Sequence, residues 1–344
     1  MSDVGHKEEG TVLLTTLLVM AIMAALAVAM MDDIRFALKR TANVSDYAQA
    51  DWYVQGAEDY VSDVLASALN DLNEPAAKNE VLRTINPVIL PLNDGLMQLN
   101  VREGSHCFNL TSLTNSTTGE ADEDAKVYFV QTLDALGIPL SEAERLHARL
   151  TDWADKDNQS LPGGAEDGDY LRRQPPIRPA NTAFASVMEI RAVEGVTQEI
   201  YEVLRPWLCI GGAETGNTFN INLAEPWQAP LLAGLLGGSQ ALPLAAQLII
   251  ERPPQGYDET LIDNPLVKGS GIENISERIS DTIAYEPISL WVELELSYRK
   301  AQRARSFNFN IDNDRPVLTY RGWGRESFRP SIKTETTQNS SGRE

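Results

Sequence analysis

An uninterrupted apolar run near the amino end constrains the fold of this chain more than any other feature. Thr11 to Met31 spans 21 residues without a charge, which is long enough to cross a bilayer as a helix. A secretory signal would show a basic n-region, a shorter apolar core and a small-residue cleavage site after that core. Glu8, Glu9 and Gly10 precede the run instead, and no such site follows it. The run therefore predicts a membrane-spanning helix, and an ordinary single-pass anchor is one interpretation of it.

The orientation of the span decides how the two cysteines are interpreted. Basic residues mark the cytoplasmic side of a span, but here Arg35, Lys39 and Arg40 follow it, so charge alone leaves the orientation open. Cys107 and Cys209 would be two buried thiols in a reducing compartment. In an oxidising compartment the same pair would form a disulfide.

The charge balance of the chain argues against nucleic acid as a partner. The sequence contains 29 basic and 49 acidic residues, a formal net charge of -20. Such a surface repels phosphate backbones and anionic membrane surfaces, and it suits cation binding.

Helical spacing continues beyond the span. Apolar residues recur at intervals of three and four residues, and they are Ala57, Val61, Val64, Leu65, Ala68 and Leu72. The pattern predicts one long helix from about Thr11 to Leu72, ended by Pro75 and the polar stretch after it.

Short strands are predicted on both sides of a long helical segment. Pro87 to Arg102 predicts a hairpin around Asn93-Asp94-Gly95. Near the other end, alternation predicts strands at Leu290–Tyr298, Ser306–Ile311 and Val317–Tyr320. The residues between, Gly104 to about Glu286, are too many for a loop. Their best helical segments are Val127–Leu136, Ser141–Trp153 with a capping box of Ser141 and Glu144, Ala185–Ile190, Gln198–Leu204 and Ala241–Ile250.

These elements predict an α+β fold. A long amino-terminal helix packs on a small antiparallel sheet, and a large, mainly helical domain is inserted between the strands. Thr334 to Glu344 is a polar tail that is predicted to be disordered.

An acidic, glycine-rich stretch from Asp152 to Tyr170 predicts a calcium loop. Asp155, Asp157 and Gln159 alternate, and Glu166 follows Asp155 by eleven residues, which resembles the ligand spacing of an EF-hand loop. Ser160 stands where that loop needs a glycine, so a true EF-hand is not expected. Asp152, Asp167 or Asp169 could replace any of the four ligands, and a solvated acidic loop is the alternative.

Two other function classes receive less support. Glu189 to Leu208 resembles a helix-hairpin-helix DNA-binding motif, but a single glycine, Gly195, stands in the hairpin and four glutamates surround it. Phosphate contact needs cations, so a packing role is expected. An enzyme is not expected either. Neither His106 nor His147 has a serine or cysteine nucleophile in a recognisable setting, and the sequence shows no phosphate-binding glycine loop or zinc-like Cys/His spacing.

The start of the chain resembles a type IV prepilin leader, in which a short polar peptide ending in glycine precedes an uninterrupted apolar helix. The resemblance implies cleavage after Gly10 by a prepilin peptidase and methylation of the new amino terminus, Thr11. It also implies that the bulk of the chain lies outside the inner membrane. In that setting we expect Cys107 and Cys209 to be oxidised.

The fifth residue after the implied cleavage site departs from the pilin pattern. Major pilins and pseudopilins have a glutamate there, which neutralises the amino terminus of a neighbouring subunit. Here the residue is Thr15, and a hydroxyl cannot offset a buried ammonium. A subunit at the filament tip has no neighbour above it, so the missing carboxylate costs nothing there. In this respect the chain resembles the type II secretion system protein K family.

Further pieces of the chain follow the order of that family. They are Asp152-Trp153-Ala154-Asp155-Lys156-Asp157, Gly164-Ala165-Glu166-Asp167, Tyr170-Leu171, Pro175-Pro176, Ala180-Asn181 through Glu189, Cys107-Phe108-Asn109-Leu110 and Trp207-Leu208-Cys209. The resemblance implies bound calcium, with Asp155, Asp157, Gln159, Glu166, Asp167 and Asp169 as candidate ligands.

The resemblance also implies a minor pseudopilin that starts pseudopilus assembly with minor pseudopilins I and J and caps its tip. The implied divisions are a leader (1–10), a transmembrane part of the helix (11–31), a pilin-like helix and first strands (32–103), the insert (104–286), the last strands (287–330) and the tail (331–344). Two alternatives stay open at this point, a membrane-tethered DNA-binding or uptake protein and a solitary anchored calcium-binding module.

Overall fold

A computed structural model describes residues 9–70, 72, 74–211, 218–312 and 315–330 of the chain. Residues 1–8 of the expected leader and the whole expected tail, 331–344, lie outside the described residues.

The first helix, α1 (Glu9–Asn70), is continuous over 62 residues. In its first half the apolar side chains of the predicted span, such as Leu14 and Met20, are more than half exposed. Within the described part of the chain this is the one helix long and apolar enough to cross a membrane. The second half buries a stripe at intervals of three and four residues, namely Ala50, Val54, Ala57, Val61 and Leu65. The long helix is confirmed, although Val64 lies outside the buried stripe.

The interpretation of Pro75 as a helix terminator was wrong. α1 ends earlier, at Asn70, and Pro75 begins a second helix, α2 (Pro75–Thr84). Proline is favoured in the first turn of a helix, because its missing N–H has no intrahelical partner there in any case.

Nine strands form one five-stranded sheet and two short pairs in the described residues. They are β1 (Val88–Leu92), β2 (Gly95–Glu103), β3 (Phe108–Asn109), β4 (Leu208–Cys209), β5 (Phe219–Asn220), β6 (Ile283–Ala284), β7 (Ser289–Tyr298), β8 (Ala301–Asp312) and β9 (Arg315–Trp323). The large sheet has the order β1-β2-β7-β8-β9 and is antiparallel throughout. The predicted hairpin and the three later strands are confirmed, and β8 and β9 are longer than predicted.

The second half of α1 packs on β7, β8 and β9 through apolar and charged contacts. Its buried stripe meets Leu294, Phe307 and Phe309 in one core. At the margin of that core, Arg303 Nε of β8 donates to Asp51 Oδ1 at 2.5 Å. Arg321 Nε of β9 likewise donates to Glu58 Oε2 at 2.9 Å. The acids of α1 are therefore placed against arginines of the sheet.

The chain between β2 and β7 forms a separate, mainly helical body with its own core. Its helices are α3 (Glu123–Ala135), α4 (Leu140–Ala154), α5 (Asp167–Tyr170), α6 (Gln198–Leu204), α7 (Ala229–Leu236), α8 (Leu242–Ile250), α9 (Pro265–Lys268) and α10 (Ile275–Thr282). Because β2 and β7 are neighbours in the sheet, this body is inserted between two adjacent strands.

Two local predictions inside the insert were wrong. The capping residue of α4 is Pro139, so Ser141 and Glu144 lie inside the helix and form no capping box. Ala185–Ile190 is also not an α-helix. A 3-10 turn, Val187–Ala192, forms there instead. Ser186 caps its start, because its side chain accepts a hydrogen bond from the Met188 backbone N–H.

Candidate metal centre

The end of α4 and the loop after it bring three carboxylates together. Asp152 lies in the last turn of α4, and Asp155 is the residue that ends this helix. Glu166 precedes the first residue of α5. Because Asp152 and Asp155 are three residues apart at a helix end, they lie on one face, and the intervening loop returns Glu166 to that face. One carboxylate oxygen from each residue lies within 4.8 Å of the others.

The three carboxylates are buried and poorly compensated. Asp155 is 4% exposed and Glu166 is 7% exposed. Asp155 Oδ1 and both carboxylate oxygens of Glu166 are buried without a hydrogen-bond partner in the described part of the chain. Asp152 is held by the loop, since its oxygens accept from the Leu161 backbone N–H at 3.1 Å and from Ser160 Oγ at 3.1 Å.

Burial and mutual repulsion raise the pKa values of this cluster. Burial is the largest cause for Asp155, followed by the charges of Asp157 and Asp152, and its pKa rises to about 7. Burial and the charge of Asp152 likewise raise the pKa of Glu166 to about 7. The pKa of Asp152 is raised by burial as well. Such a cluster favours either protons or a bound cation.

The structure brings together two of the six expected ligands, Asp155 and Glu166. Asp157 and Gln159 lie in the exposed part of the loop, where the Gln159 backbone N–H donates to Asp157 Oδ1 at 2.7 Å. α5 begins directly after Glu166, and its two acids pair with arginines. Asp167 accepts from Arg178 at 2.7 Å, and Asp169 pairs with Arg172.

Asp152 was named in the sequence only as a possible substitute. Its participation follows from α4 continuing through Trp153, as the predicted helix Ser141–Trp153 does. Asn181 was not considered as a ligand in the sequence, and its backbone is bonded to the end of α4. Its Oδ1 is buried without a hydrogen-bond partner among the described residues, and its backbone N–H donates to the Trp153 carbonyl at 3.0 Å. Its φ of 48° is a conformation that asparagine tolerates better than most residues.

A disulfide joins Cys107 to Cys209, with an S–S distance of 1.98 Å. Cys107 directly precedes β3, and Cys209 lies in β4, where it is opposite Asn109 of β3. The bond fixes the start of the insert to a segment 102 residues later in the sequence.

At the hairpin around Gly195, the space beside the glycine is occupied by a side chain of the same protein. Gly195 has a φ of 78° and lies between a 3-10 turn and α6. A Cβ there would lie 1.7 Å from Arg149 Nη1, a side chain of α4. Arg149 thus occupies the space beside the glycine, as expected of a packing unit.

Thr15 uses its hydroxyl within its own helix. Its Oγ1 donates toward the backbone oxygens of Thr11 and Val12, at 3.0 Å and 2.9 Å. A hydroxyl at this place carries no charge to a neighbouring chain.

Comparison with known proteins identifies the family. The family model of type II secretion system (T2SS) protein K matches residues 106–212. Type II secretion system protein K of Klebsiella pneumoniae is 32% identical over 258 residues, which cover 73% of this chain and 77% of that protein. The chain belongs to the type II secretion system protein K family. Protein K of Aeromonas hydrophila is also 32% identical, over 269 residues that cover 74% of this chain and 78% of that protein.

A solved structure shares the protein K fold described above. It is the crystal structure of the GspK-GspI-GspJ complex from the type 2 secretion system of enterotoxigenic Escherichia coli. The matching chain has a TM-score of 0.68 and 23% sequence identity, and the match covers 83% of this chain and 99% of that chain. The α+β architecture predicted from the sequence is confirmed.

Membership of the protein K family gives the chain the role of a minor pseudopilin in protein secretion. It does not support a DNA-uptake protein or a solitary anchored calcium module. Family members are structural components of the secretion apparatus, and the apolar part of α1 fits a membrane-anchored pseudopilin.

Proposed function

We propose that this chain caps the pseudopilus tip and starts pseudopilus assembly. Thr15 carries this proposal. A subunit within the shaft must offer a carboxylate to the amino terminus of the chain stacked above it, since a lone charge in hydrocarbon is expensive. Thr15 offers a hydroxyl that is bonded to its own helix. At the end of the filament no chain lies above, so the missing carboxylate leaves no amino terminus without a partner.

The size of the insert supports the same position. A shaft subunit needs a compact head beside its helix, whereas this chain adds a second body with its own core between β2 and β7. A tip subunit has free space around its head, so the insert can extend without displacing neighbours.

Minor pseudopilins I and J are the proposed partners. The related chain of known fold was crystallised as a GspK-GspI-GspJ complex. In this chain the exposed side of α1 bears large apolar side chains beyond the span, among them Val44, Trp52 and Tyr60. Exposed aromatic side chains such as Trp52 and Tyr60 are enriched in protein interfaces, and we propose that this side bundles with the helices of the two partners.

The proposed location is the inner membrane, with one span and the carboxyl-terminal body in the periplasm. The disulfide between Cys107 and Cys209 supports this orientation, because disulfides persist in oxidising compartments. A prepilin peptidase would cut after Gly10, and Thr11 would be methylated. Mass spectrometry of the mature protein is expected to show methylated Thr11 at the amino terminus, and retention of residues 1–10 would overturn this part of the proposal.

Calcium is the proposed ligand of the carboxylate cluster. Among the described residues no cationic side chain pairs with these three buried carboxylates, which suits a hard divalent cation that takes six to eight oxygen ligands. Asp152, Asp155 and Glu166 would hold it, and Asn181 Oδ1 is a candidate neutral ligand. The ion would neutralise the cluster and fix the loop between α4 and α5, with no reaction catalysed.

Co-purification tests the partner assignment. The full-length chain, tagged at its carboxyl terminus and expressed with minor pseudopilins I and J of the same system, is extracted from membranes in mild detergent. We expect all three proteins to elute together in a fixed ratio. Elution of the chain alone under conditions in which I and J are present would overturn the proposed complex.

A further inference from the structure

A cavity of about 450 Å³ lies where the sheet meets the insert, away from the carboxylate cluster. Four arginines from four separate segments line it: Arg83 of α2, Arg102 of β2, Arg252 after α8, and Arg329 after β9. The lining also contains two carboxylates, Glu103 and Glu225. The lining side chains alone have an excess of two positive charges, in a chain whose net charge is -20, and two of the arginines also have carboxylate partners outside the lining.

The two carboxylates of the lining are already engaged by neutral donors. Glu103 is buried, and its oxygens accept from Asn220 Nδ2 at 3.1 Å and from the Ser105 backbone N–H at 3.1 Å. Glu225 Oε2 accepts from Trp227 Nε1 at 2.6 Å. Neither forms an ion pair with a lining arginine within the described residues.

Two of the four arginines have carboxylate partners. Arg102 Nη2 lies 2.5 Å from Glu293 Oε1, and Arg83 Nη1 lies 3.7 Å from Glu80 Oε2. Even so, Arg102 Nε is buried without a hydrogen-bond partner in the described part of the chain.

Arg252 and Arg329 bind backbone carbonyls instead. Arg252 Nη1 donates to the carbonyls of Ile221 and Ala224, at 3.0 Å and 2.9 Å. Arg329 Nη2 donates to the Gly104 carbonyl at 2.6 Å, and its Nε is a further buried atom without a partner. No carboxylate of the described residues lies within 4 Å of either guanidinium. Backbone carbonyls hold a guanidinium in place but do not neutralise it.

The like charges are close enough to disfavour one another. Burial and then repulsion from Arg102 lower the pKa of Arg329 to about 9, against the opposing effect of the Glu293 and Glu103 charges. Burial and repulsion from Arg83 lower the pKa of Arg252. Both Arg252 and Arg329 contribute to lowering the pKa of His106, after the larger effect of burial, to about 3. His106 is therefore neutral at physiological pH and adds no charge to the lining.

We propose that this cavity binds a small oxyanion, which bridges the pilin-like sheet and the insert. Planar guanidinium groups bind tetrahedral oxyanions and carboxylates with paired hydrogen bonds. The guanidinium groups of Arg102 and Arg329, which line the cavity, supply donors on the sheet side, and Arg252 supplies charge on the insert side. A bound anion would accept from these guanidinium groups and offset the repulsion among the arginines.

Binding is measured by isothermal titration calorimetry on the full-length protein in detergent, with sulfate and succinate as the two probes. Each probe is exchanged against chloride at constant ionic strength. We expect one saturable site, and the tighter of the two probes identifies a tetrahedral oxyanion or a carboxylate as the preferred class. Arg252→Gln and Arg329→Gln are each expected to weaken binding at least tenfold.

Two further variants separate the site from general charge effects. Arg325→Gln removes an exposed charge four residues from Arg329 and outside the cavity, and it should leave the affinity unchanged. Arg252→Lys keeps the charge but loses the planar fork, so it should bind several-fold more weakly than the wild type. Absence of saturable binding to the wild type, or equal affinity in Arg252→Lys and Arg329→Gln, would overturn the proposal.

Discussion

At the scale of single residues, the raised pKa values of Asp155 and Glu166 predict that stability depends on pH, and the proposed calcium site predicts that it depends on calcium. Their pKa values of about 7 in the folded protein lie above those of exposed carboxyls, near 4. Between these values the unfolded chain releases protons that the folded chain keeps. Without metal, stability should therefore fall as pH rises from about 4 to about 7, and stay at the lower level above that. Excess calcium should remove this fall.

Asp155→Asn is expected to have opposite effects with and without calcium. At pH 8 in chelator, the variant should be more stable than the wild type, because one buried charge is gone. In calcium at a hundred times its Kd, the wild type should gain about 2.7 kcal/mol, and the variant should gain much less. Denaturant unfolding in both buffers measures this. Asp157→Asn, at an exposed position of the same loop, is the control for the calcium gain, which it should largely keep, and loss of that gain in both variants would contradict the proposed site.

The position of the Asp152 carboxylate leaves no room for a side chain at residue 164. A Cβ at residue 164 would lie 1.9 Å from Asp152 Oδ2, so Gly164→Ala must displace that carboxylate. We expect at least tenfold weaker calcium binding by titration calorimetry. Gly168→Ala is the matched control, since its Cβ would meet nothing closer than Arg172 Nη1 at 3.8 Å. Normal calcium affinity in Gly164→Ala would show that Asp152 is not a ligand.

The sequence could indicate part of the carboxylate cluster but not the arginine-lined cavity. Asp155 and Glu166 follow a known ligand spacing, so a local pattern sufficed. Whether Asp167 joins them depends on where α5 begins, and the spacing does not contain that information. The arginine-lined cavity could not be predicted, because Arg83, Arg102, Arg252 and Arg329 are brought together by four elements far apart in sequence.

At the scale of elements, one side of α1 packs on the sheet and the other side is exposed and is the proposed interface. Val54 is 7% exposed and packs on the sheet, whereas Trp52 is 68% exposed. Trp52→Ser should leave the unfolding free energy within about 0.5 kcal/mol and reduce co-purification with pseudopilins I and J. Val54→Asp should unfold the pilin-like part, because it buries an unpaired charge in that core. If Trp52→Ser leaves the complex intact, the exposed side of α1 is not the interface.

The long elements were predictable and their ends were less so. Apolar periodicity identified α1 over most of its length, and alternation identified β7, because each pattern repeats many times. Pro75 was misread because proline both ends helices and begins them. β8 was predicted too short, since Arg303 and Arg305 are polar residues paired with Asp51 of α1, a contact that no local pattern reveals.

At the scale of the whole molecule, the disulfide limits the freedom of the unfolded insert. Closing a loop of about 100 residues contributes up to about 4.7 kcal/mol in the chain-entropy account, and Cys107 and Cys209 are 102 residues apart. Replacing both cysteines by alanine should lower the unfolding free energy by about 2 to 5 kcal/mol in denaturant titrations. Reductant should destabilise the wild type and leave the double variant unchanged. A double variant as stable as the wild type would show that the loop is already constrained when unfolded.

The proposed position of the chain at the filament tip rests on Thr15 together with the inserted body. Immunogold electron microscopy of pseudopili, with the chain tagged at its carboxyl terminus, tests this most directly. The account predicts gold at one end of each fibre and an unlabelled shaft. It also predicts that Thr15→Glu, which restores the missing carboxylate, leaves folding unchanged. Gold distributed along the shaft of fibres made with the unaltered chain would contradict the account.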